Sequence, residues 1–160
     1  MKHKNLNKLP SLLEEKKYLH NSERVMIGVD EVGRGCWAGP VLSCASYIYP
    51  SKLMNLPKID DSKKMSKNKR REILASSSTF SKSAIGCSTV NEIENFGINA
   101  SNDLAALRAI VLMVQNFSLN TDKNLFFDIF LDGNRFPSFD MFEKLFSLIK
   151  NRIKIYCIVK

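Results

Sequence analysis

A short apolar run that ends in two adjacent acids constrains this chain more than any other feature. Val25–Val29 is typical of a strand, Asp30 and Glu31 stand at its end, and the turn Gly33-Arg34-Gly35 follows. Carboxylate oxygens are the ligands that Mg²⁺ and Mn²⁺ prefer. A Gly-Arg-Gly turn can bring backbone N–H groups and a guanidinium to a phosphate. The pattern therefore predicts metal-assisted phosphodiester chemistry, and its alternative is a solvated turn with two surface acids.

Composition places the chain among globular proteins with a polyanionic partner. Its 160 residues, 44% of them hydrophobic, suit one domain with a real core. The net charge of +8 favours nucleic acid, although an AT-rich genome also produces lysine-rich proteins. None of the four cysteines forms a Cys-x-x-Cys pair, which argues against zinc, and we expect reduced, buried thiols. No stretch approaches the length of a membrane span.

The hydrophobic pattern alternates between strand and helix signals along most of the chain. It predicts strands at Val25–Asp30, Gly39–Tyr49, Ser81–Val90, Leu125–Leu131 and Ile153–Val159. It predicts helices from the N-cap Ser66 to about Ser76, over Ile98–Phe117 and over Phe139–Lys150. The apolar run before Asp132, which is broken only by Asp128, indicates a buried central strand. If that strand lies beside the first one, Asp132 meets Asp30 and Glu31 at one edge of the sheet.

Four sequence blocks, in order, resemble the ribonuclease HII family, and the resemblance extends from Val25 to Lys160. The blocks are Gly28–Ala38, Asp61-Ser62-Lys63-Lys64-Met65-Ser66, the helix region from Glu92-Ile93 through Ile98 and Ala100, and Leu131-Asp132-Gly133-Asn134. Ile158-Val159-Lys160 resembles the start of a further block. Gly97, Asn99 and Asn102 differ from the residues that are more usual in the family.

The resemblance implies an α/β, ribonuclease H-like fold, with a mixed central sheet of about five strands flanked by helices. It implies an incomplete catalytic domain over 25–160 after a basic extension over 1–24. The family's fourth carboxylate would come two residues after Lys160, and its C-terminal helices would follow. We therefore expect a C-terminally truncated member that lacks those helices.

The resemblance also implies an activity, which is hydrolysis of RNA in RNA–DNA hybrids and of ribonucleotides embedded in duplex DNA. Asp30, Glu31 and Asp132 would be catalytic and would bind Mn²⁺ or Mg²⁺ in a two-metal mechanism that leaves 3′-OH and 5′-phosphate ends. The substrate-binding residues would be Gly33, Arg34, Gly35, Ser62, Lys63 and Lys64.

Each substrate-binding residue has an alternative, and so does the activity. The lysines at 63 and 64 could simply be solvated, Asp61 could be a loop or capping acid, and the basic face of the helix after Ser66 could be surface. Trp37 is interpreted as a packing residue rather than a base-stacking platform. The chain could be an inactive remnant that only binds nucleic acid, or a structural domain without that partner. We expect a cytoplasmic monomer that acts in DNA replication and repair.

Overall fold

The structure is a computed structural model that describes residues 24–119, 125–133, 135 and 137–158. The expected extension over 1–24 therefore lies outside the described residues except for Arg24, as do Asn134, Val159 and Lys160. The chain divides into two compact units. The larger consists of residues 22–47 and 83–160, and the smaller consists of residues 1–21 and 48–82.

A five-stranded mixed sheet forms the framework. Its strands are β1 (Arg24–Val32), β2 (Val41–Ile48), β3 (Ser81–Ser88), β4 (Phe126–Asp132) and β5 (Ile153–Ile158). The order across the sheet is β3-β2-β1-β4-β5. Strand β1 pairs antiparallel with β2 and parallel with β4, and β4 pairs parallel with β5. The predicted five-strand α/β sheet is confirmed. The central strand of the sheet is β1, whereas β4, which was predicted to be central, is its neighbour.

Helix α2 is the main element that covers this sheet. In the larger unit it spans Val90–Ser118 and contributes more buried residues than any other helix. Its apolar side chains join those of β1 and β4 in one core, which includes Ile27, Leu107 and Ile129, each fully buried. Burial of this stripe against the sheet is what stabilises a helix of this length.

The start of α2 differs from the predicted start at Ile98. Thr89 and Glu92 form a capping box, in which each side chain accepts a hydrogen bond from the other residue's backbone N–H, and this starts a first helical segment at Val90. Gly97 then interrupts the helix with φ 77° and ψ 162°, a conformation that glycine adopts without steric cost. The predicted helix is therefore the second segment of a kinked one.

By length and composition, α2 is apolar enough to cross a membrane, contrary to the expectation from the sequence. Most of its most apolar stretch is nevertheless buried inside the protein. A core helix of a globular protein commonly has both properties.

The predicted helix over Phe139–Lys150 is mostly wrong. The chain forms a 3-10 turn over Asp140–Phe142, a four-residue helix α3 (Glu143–Phe146) and then further turns. No side chain caps the start of either segment, and i→i+3 bonds such as Ile149 N–H to Phe146 O tighten the turns after α3. Phe139 and Ile149 are buried in the core, so packing is satisfied without a long helix.

The smaller unit contains helix α1 (Lys67–Ser76), with 3-10 segments at Pro50–Asn55 and Ser77–Thr79. Ser66 caps α1 as predicted, since its side chain accepts a hydrogen bond from the backbone N–H of Lys69 at 3.2 Å. All four cysteines are unpaired. Cys36 is exposed and the other three are partly buried, so the expectation of buried thiols is wrong for Cys36.

Candidate active site

The ends of β1 and β4 present two of the predicted acids side by side. The parallel register pairs Val29 with Leu131, so Asp30 and Asp132 are the next residues on two neighbouring strands. Neighbouring strands are about 4.8 Å apart, and residues at the same level of a parallel pair lie on the same face. Glu31 is one residue further along β1, at the level of Ser43 on β2. The topology thus brings three acids from two strands to one edge.

These acids border a cavity of about 110 Å³ at the carboxyl ends of β1 and β4. Helix α2 and the segment that follows β4 provide the remaining walls. The residues that line the cavity are Val29, Asp30, Glu31, Arg34, Ser43, Asn102, Asp103, Ala106, Leu131, Asp132, Gly133, Arg135 and Pro137. The cavity therefore combines four carboxylates with two guanidinium groups.

Arg34 is the predicted substrate-binding residue whose side chain lines this cavity. Its Nη2 donates a hydrogen bond to Asn99 Oδ1 at 2.8 Å, and its Nη1 lies 4.0 Å from Glu31 Oε1. The turn that carries it is closed by a bond from Cys36 N–H to Gly33 O at 3.1 Å. Because a guanidinium has five N–H donors, Arg34 can keep its bond to Asn99 and still donate to a phosphate.

Two buried polar atoms on the cavity wall show what the cavity can hold. Ser43 Oγ and Asn102 Oδ1 are buried and have no hydrogen-bond partner among the residues that the structure describes. Buried acceptors of this kind need a donor, which the water ligands of a hydrated divalent cation would provide. In donor chemistry, the acids and these two oxygens fit Mg²⁺ or Mn²⁺.

The acids do not form a ready ligand cluster. Over the ranges that the structure describes, no three Asp, Glu, His or Cys side chains are grouped closely enough to hold an ion together. The acids border the cavity instead. The assignment of Asp30, Glu31 and Asp132 as metal ligands stays a prediction.

The remaining predicted substrate-binding residues, Ser62, Lys63 and Lys64, lie in the smaller unit. Asp61 Oδ1 accepts a hydrogen bond from Lys63 N–H at 2.9 Å, as in an Asx turn, and Asp61 O accepts from Lys64 N–H at 2.8 Å. Arg70 Nη1 donates to Ser62 O and to Met65 O, each at 2.7 Å. Asp61 and Arg70 thus fix the loop, while the side chains at 62, 63 and 64 are exposed.

The ion pair on the cavity wall was not predicted from the sequence, and Trp37 lies in a different environment from the one predicted. Asp103 and Arg135 form an ion pair across the cavity wall, with Nη1 to Oδ2 at 3.0 Å. The available signal was a carboxylate at position 103, within the apolar stripe of α2. Trp37 is fully exposed in the turn that carries Arg34, so its interpretation as a packing residue is wrong.

Comparison with known families agrees with this architecture. The sequence model of the family described as "Ribonuclease HII" matches residues 27–155. The chain belongs to the ribonuclease HII family. A ribonuclease HII of Anaplasma marginale is 32% identical over 133 residues, which cover 83% of this chain and 51% of that protein. One from Herpetosiphon aurantiacus is 38% identical over 104 residues, 61% of this chain and 49% of that protein. The chain thus spans about half the length of these ribonuclease HII relatives.

Two solved structures show the same fold. The complex of PCNA with ribonuclease HII from Archaeoglobus fulgidus gives a TM-score of 0.56 at 18% identity, covering 83% of this chain and 62% of the other. Bst-RNase HIII in complex with Mn²⁺ gives 0.63 at 19% identity, covering 86% and 46%. At these identities the likeness establishes the ribonuclease H-like fold alone.

Proposed function

We propose that this chain provides the cation- and substrate-binding part of an endoribonuclease that cleaves the RNA strand of RNA–DNA hybrids and ribonucleotides embedded in duplex DNA. The observation that carries the proposal is the convergence of Asp30, Glu31 and Asp132 on one cavity next to Arg34. A net charge of +8 suits a polyanionic substrate. The proposal includes a monomer that acts in the cytoplasm in replication and repair of DNA.

In this proposal, the three acids hold divalent cations, Mn²⁺ or Mg²⁺. Bound cations of this class would activate a water molecule and stabilise the leaving 3′-oxygen in an in-line displacement, which gives 3′-OH and 5′-phosphate ends. The Mn²⁺ complex of the structurally similar ribonuclease HIII supports the class of cation. Ser43 and Asn102 would accept hydrogen bonds from water at the inner wall of the cavity.

Recognition of the substrate is assigned to the two fixed loops. Gly33, Arg34 and Gly35 would contact the ribose and its phosphate, with Arg34 oriented by Asn99. A backbone N–H or C=O near the 2′-hydroxyl is the kind of contact that distinguishes RNA from DNA. Ser62, Lys63 and Lys64 would contact phosphates, which position a nucleic acid without reading its sequence.

The direct test is cleavage of a labelled DNA duplex that contains one ribonucleotide, with Mn²⁺ or Mg²⁺ and with an all-DNA duplex alongside. Any cleavage by this chain should occur at the ribonucleotide only. Asp132→Asn keeps the shape of the side chain and removes its charge, so it should reduce cleavage at least about a hundredfold, which corresponds to about 3 kcal/mol.

Glu94→Gln is the matched control, because Glu94 is an exposed acid on α2 that does not line the cavity. Its cleavage rate should stay within about twofold of the parent rate, as is usual for surface substitutions. Equal losses in both variants would refute the assignment of Asp132. Binding of the duplex without any cleavage would favour the alternative, a chain that only binds nucleic acid.

A further inference from the structure

A buried carboxylate on the cavity wall joins α2 to the segment that follows β4. Asp103 is 3% exposed. Its Oδ2 accepts hydrogen bonds from Arg135 Nη1 at 3.0 Å and from the backbone N–H of Ser138 at 3.1 Å, and its Oδ1 accepts from Arg135 Nη2. One side chain of the helix thereby fixes two points of the segment, three and six residues after Asp132.

Strand β5 holds the same segment from the other side. The backbone N–H of Gly133 donates to Ile158 O at 2.9 Å, and Cys157 Sγ lies 3.4 Å from Arg135 O. Gly133, Arg135 and Ser138 are therefore bonded to α2 or β5. This matters for Asp132, which is exposed at the end of β4.

The Asp103–Arg135 ion pair also affects the charge of the cavity. Arg135 lines the same cavity as Asp30 and Asp132 and is about half exposed. A guanidinium without a fixed partner in that position would pair with the cavity acids and compete with a cation for them. The two-bond contact with Asp103 holds Arg135 at the wall and directs its charge to a carboxylate that is already buried.

We propose that Asp103 and Arg135 are a positioning pair, which fixes Asp132 at the cavity and keeps the guanidinium of Arg135 away from the cation-binding acids. This inference rests on the proposed function, because it assumes that Asp30 and Asp132 bind a cation. Asp103 itself would act through Arg135 and the segment after β4, not as a ligand.

The chain contains a matched pair at the opposite end of β4. Arg24 Nε donates to Asp128 Oδ2 at 2.7 Å and Arg24 Nη2 donates to Asp128 Oδ1 at 2.5 Å, and Asp128 is 1% exposed. Asp128 precedes Asp132 by four residues, which is about 13 Å along a strand. Loss of the charge-assisted hydrogen bonds of either pair should destabilise the fold, but only the Asp103 pair borders the cavity.

The test measures Mn²⁺ binding to the 160-residue chain by calorimetry, together with hydrogen exchange at the Gly133 amide. Asp103→Asn should weaken Mn²⁺ binding about tenfold, the usual effect of removing a group that orients a metal-binding side chain. It should also speed exchange at Gly133 beyond the change in global stability. Asp128→Asn should lower the melting temperature similarly and leave Mn²⁺ affinity within about twofold.

Arg135→Lys is the second variant, which keeps the charge but loses the two-bond geometry. It should fall between the parent chain and Asp103→Asn in both measurements. Equal Mn²⁺ affinities in Asp103→Asn and Asp128→Asn would overturn the positioning role and leave the proposed function intact. Absence of Mn²⁺ binding by the parent chain itself would count against the proposed function. In that case hydrogen exchange decides the positioning role, which an unchanged Gly133 rate in Asp103→Asn would overturn.

Discussion

Gly33 and Gly35, two of the three glycines between β1 and β2, have different roles in the structure. Gly33 has φ +99°, and a Cβ built on it would lie 2.5 Å from the backbone oxygen of Pro40. Gly35 has an ordinary backbone conformation, and a Cβ there would meet no atom within 4 Å. Substitution of each by alanine therefore separates a glycine required by the fold from one that leaves room for a ligand.

The cost of Gly33→Ala can be estimated from its two causes. The backbone conformation costs a residue with a Cβ about 1–2 kcal/mol. The contact with Pro40 O is against backbone, so the turn itself must shift, which is comparable to overpacking at about 1–3 kcal/mol. The sum of about 2–5 kcal/mol should lower the melting temperature by roughly 5–15 °C for a chain of this size. Gly35→Ala should change it by about 2 °C or less.

Thermal unfolding followed by circular dichroism measures both variants, and binding to an RNA–DNA hybrid gives the second readout. If Gly35 leaves room for the sugar–phosphate backbone, Gly35→Ala weakens binding while the melting temperature stays near that of the parent. Gly33→Ala should weaken both. Equal melting temperatures for the two variants would refute the reasoning from φ and the contact with Pro40.

Three further predictions use the charges and the fluorescence of the chain. The pKa of Glu92 is lowered from 4.5 to about 2, chiefly by hydrogen bonds from Arg108 and next by the hydrogen bond from the Thr89 backbone. The ionised Glu92 therefore stabilises the fold fully above about pH 4.5, and this stabilisation is lost as the pH falls towards 2. In denaturant unfolding, Glu92→Gln should lower the free energy of unfolding by about 1–2 kcal/mol at pH 7 and by little near pH 2. A pH-independent difference would contradict this. Trp37, the sole tryptophan, should change its fluorescence when a hybrid binds, with an affinity that falls steeply with salt. Arg34→Ala should weaken preference for a ribonucleotide more than Lys67→Ala, and equal losses would make Arg34 an ordinary surface charge.

The strands and the position of the acids could be predicted because their signals are local. A run of apolar residues that ends in Asp30 or in Asp132 indicates both the strand and its end. The start of α2 was not predicted, although Thr89 and Glu92 have the spacing of a capping box before an apolar stretch. The short α3 could not be predicted, because the apolar spacing after Phe139 is equally compatible with turns that bury the same side chains.

The Asp103–Arg135 pair shows where sequence reasoning ends. A carboxylate in the apolar stripe of α2 indicates a buried partner, because an unpaired charge there would be too costly. Its partner lies 32 positions away, in a segment without periodicity, and only the packing of α2 near the end of β4 brings the two together. The same holds for Asn99, whose contact with Arg34 crosses 65 positions.

These two contacts together explain how a cavity with acids and arginines could remain open to a cation. Asn99 and Asp103 are four residues apart on α2, so they lie on the same face of the helix. Asn99 holds Arg34 and Asp103 holds Arg135, and both arginines line the cavity beside Asp30 and Asp132. One helix face thus engages both guanidinium groups with its own oxygens. In the proposed function, Asp30 and Asp132 then keep their charge for an ion. Arg34, which is bonded to the neutral Asn99 and lies 4.0 Å from Glu31 Oε1, still has N–H donors for a phosphate.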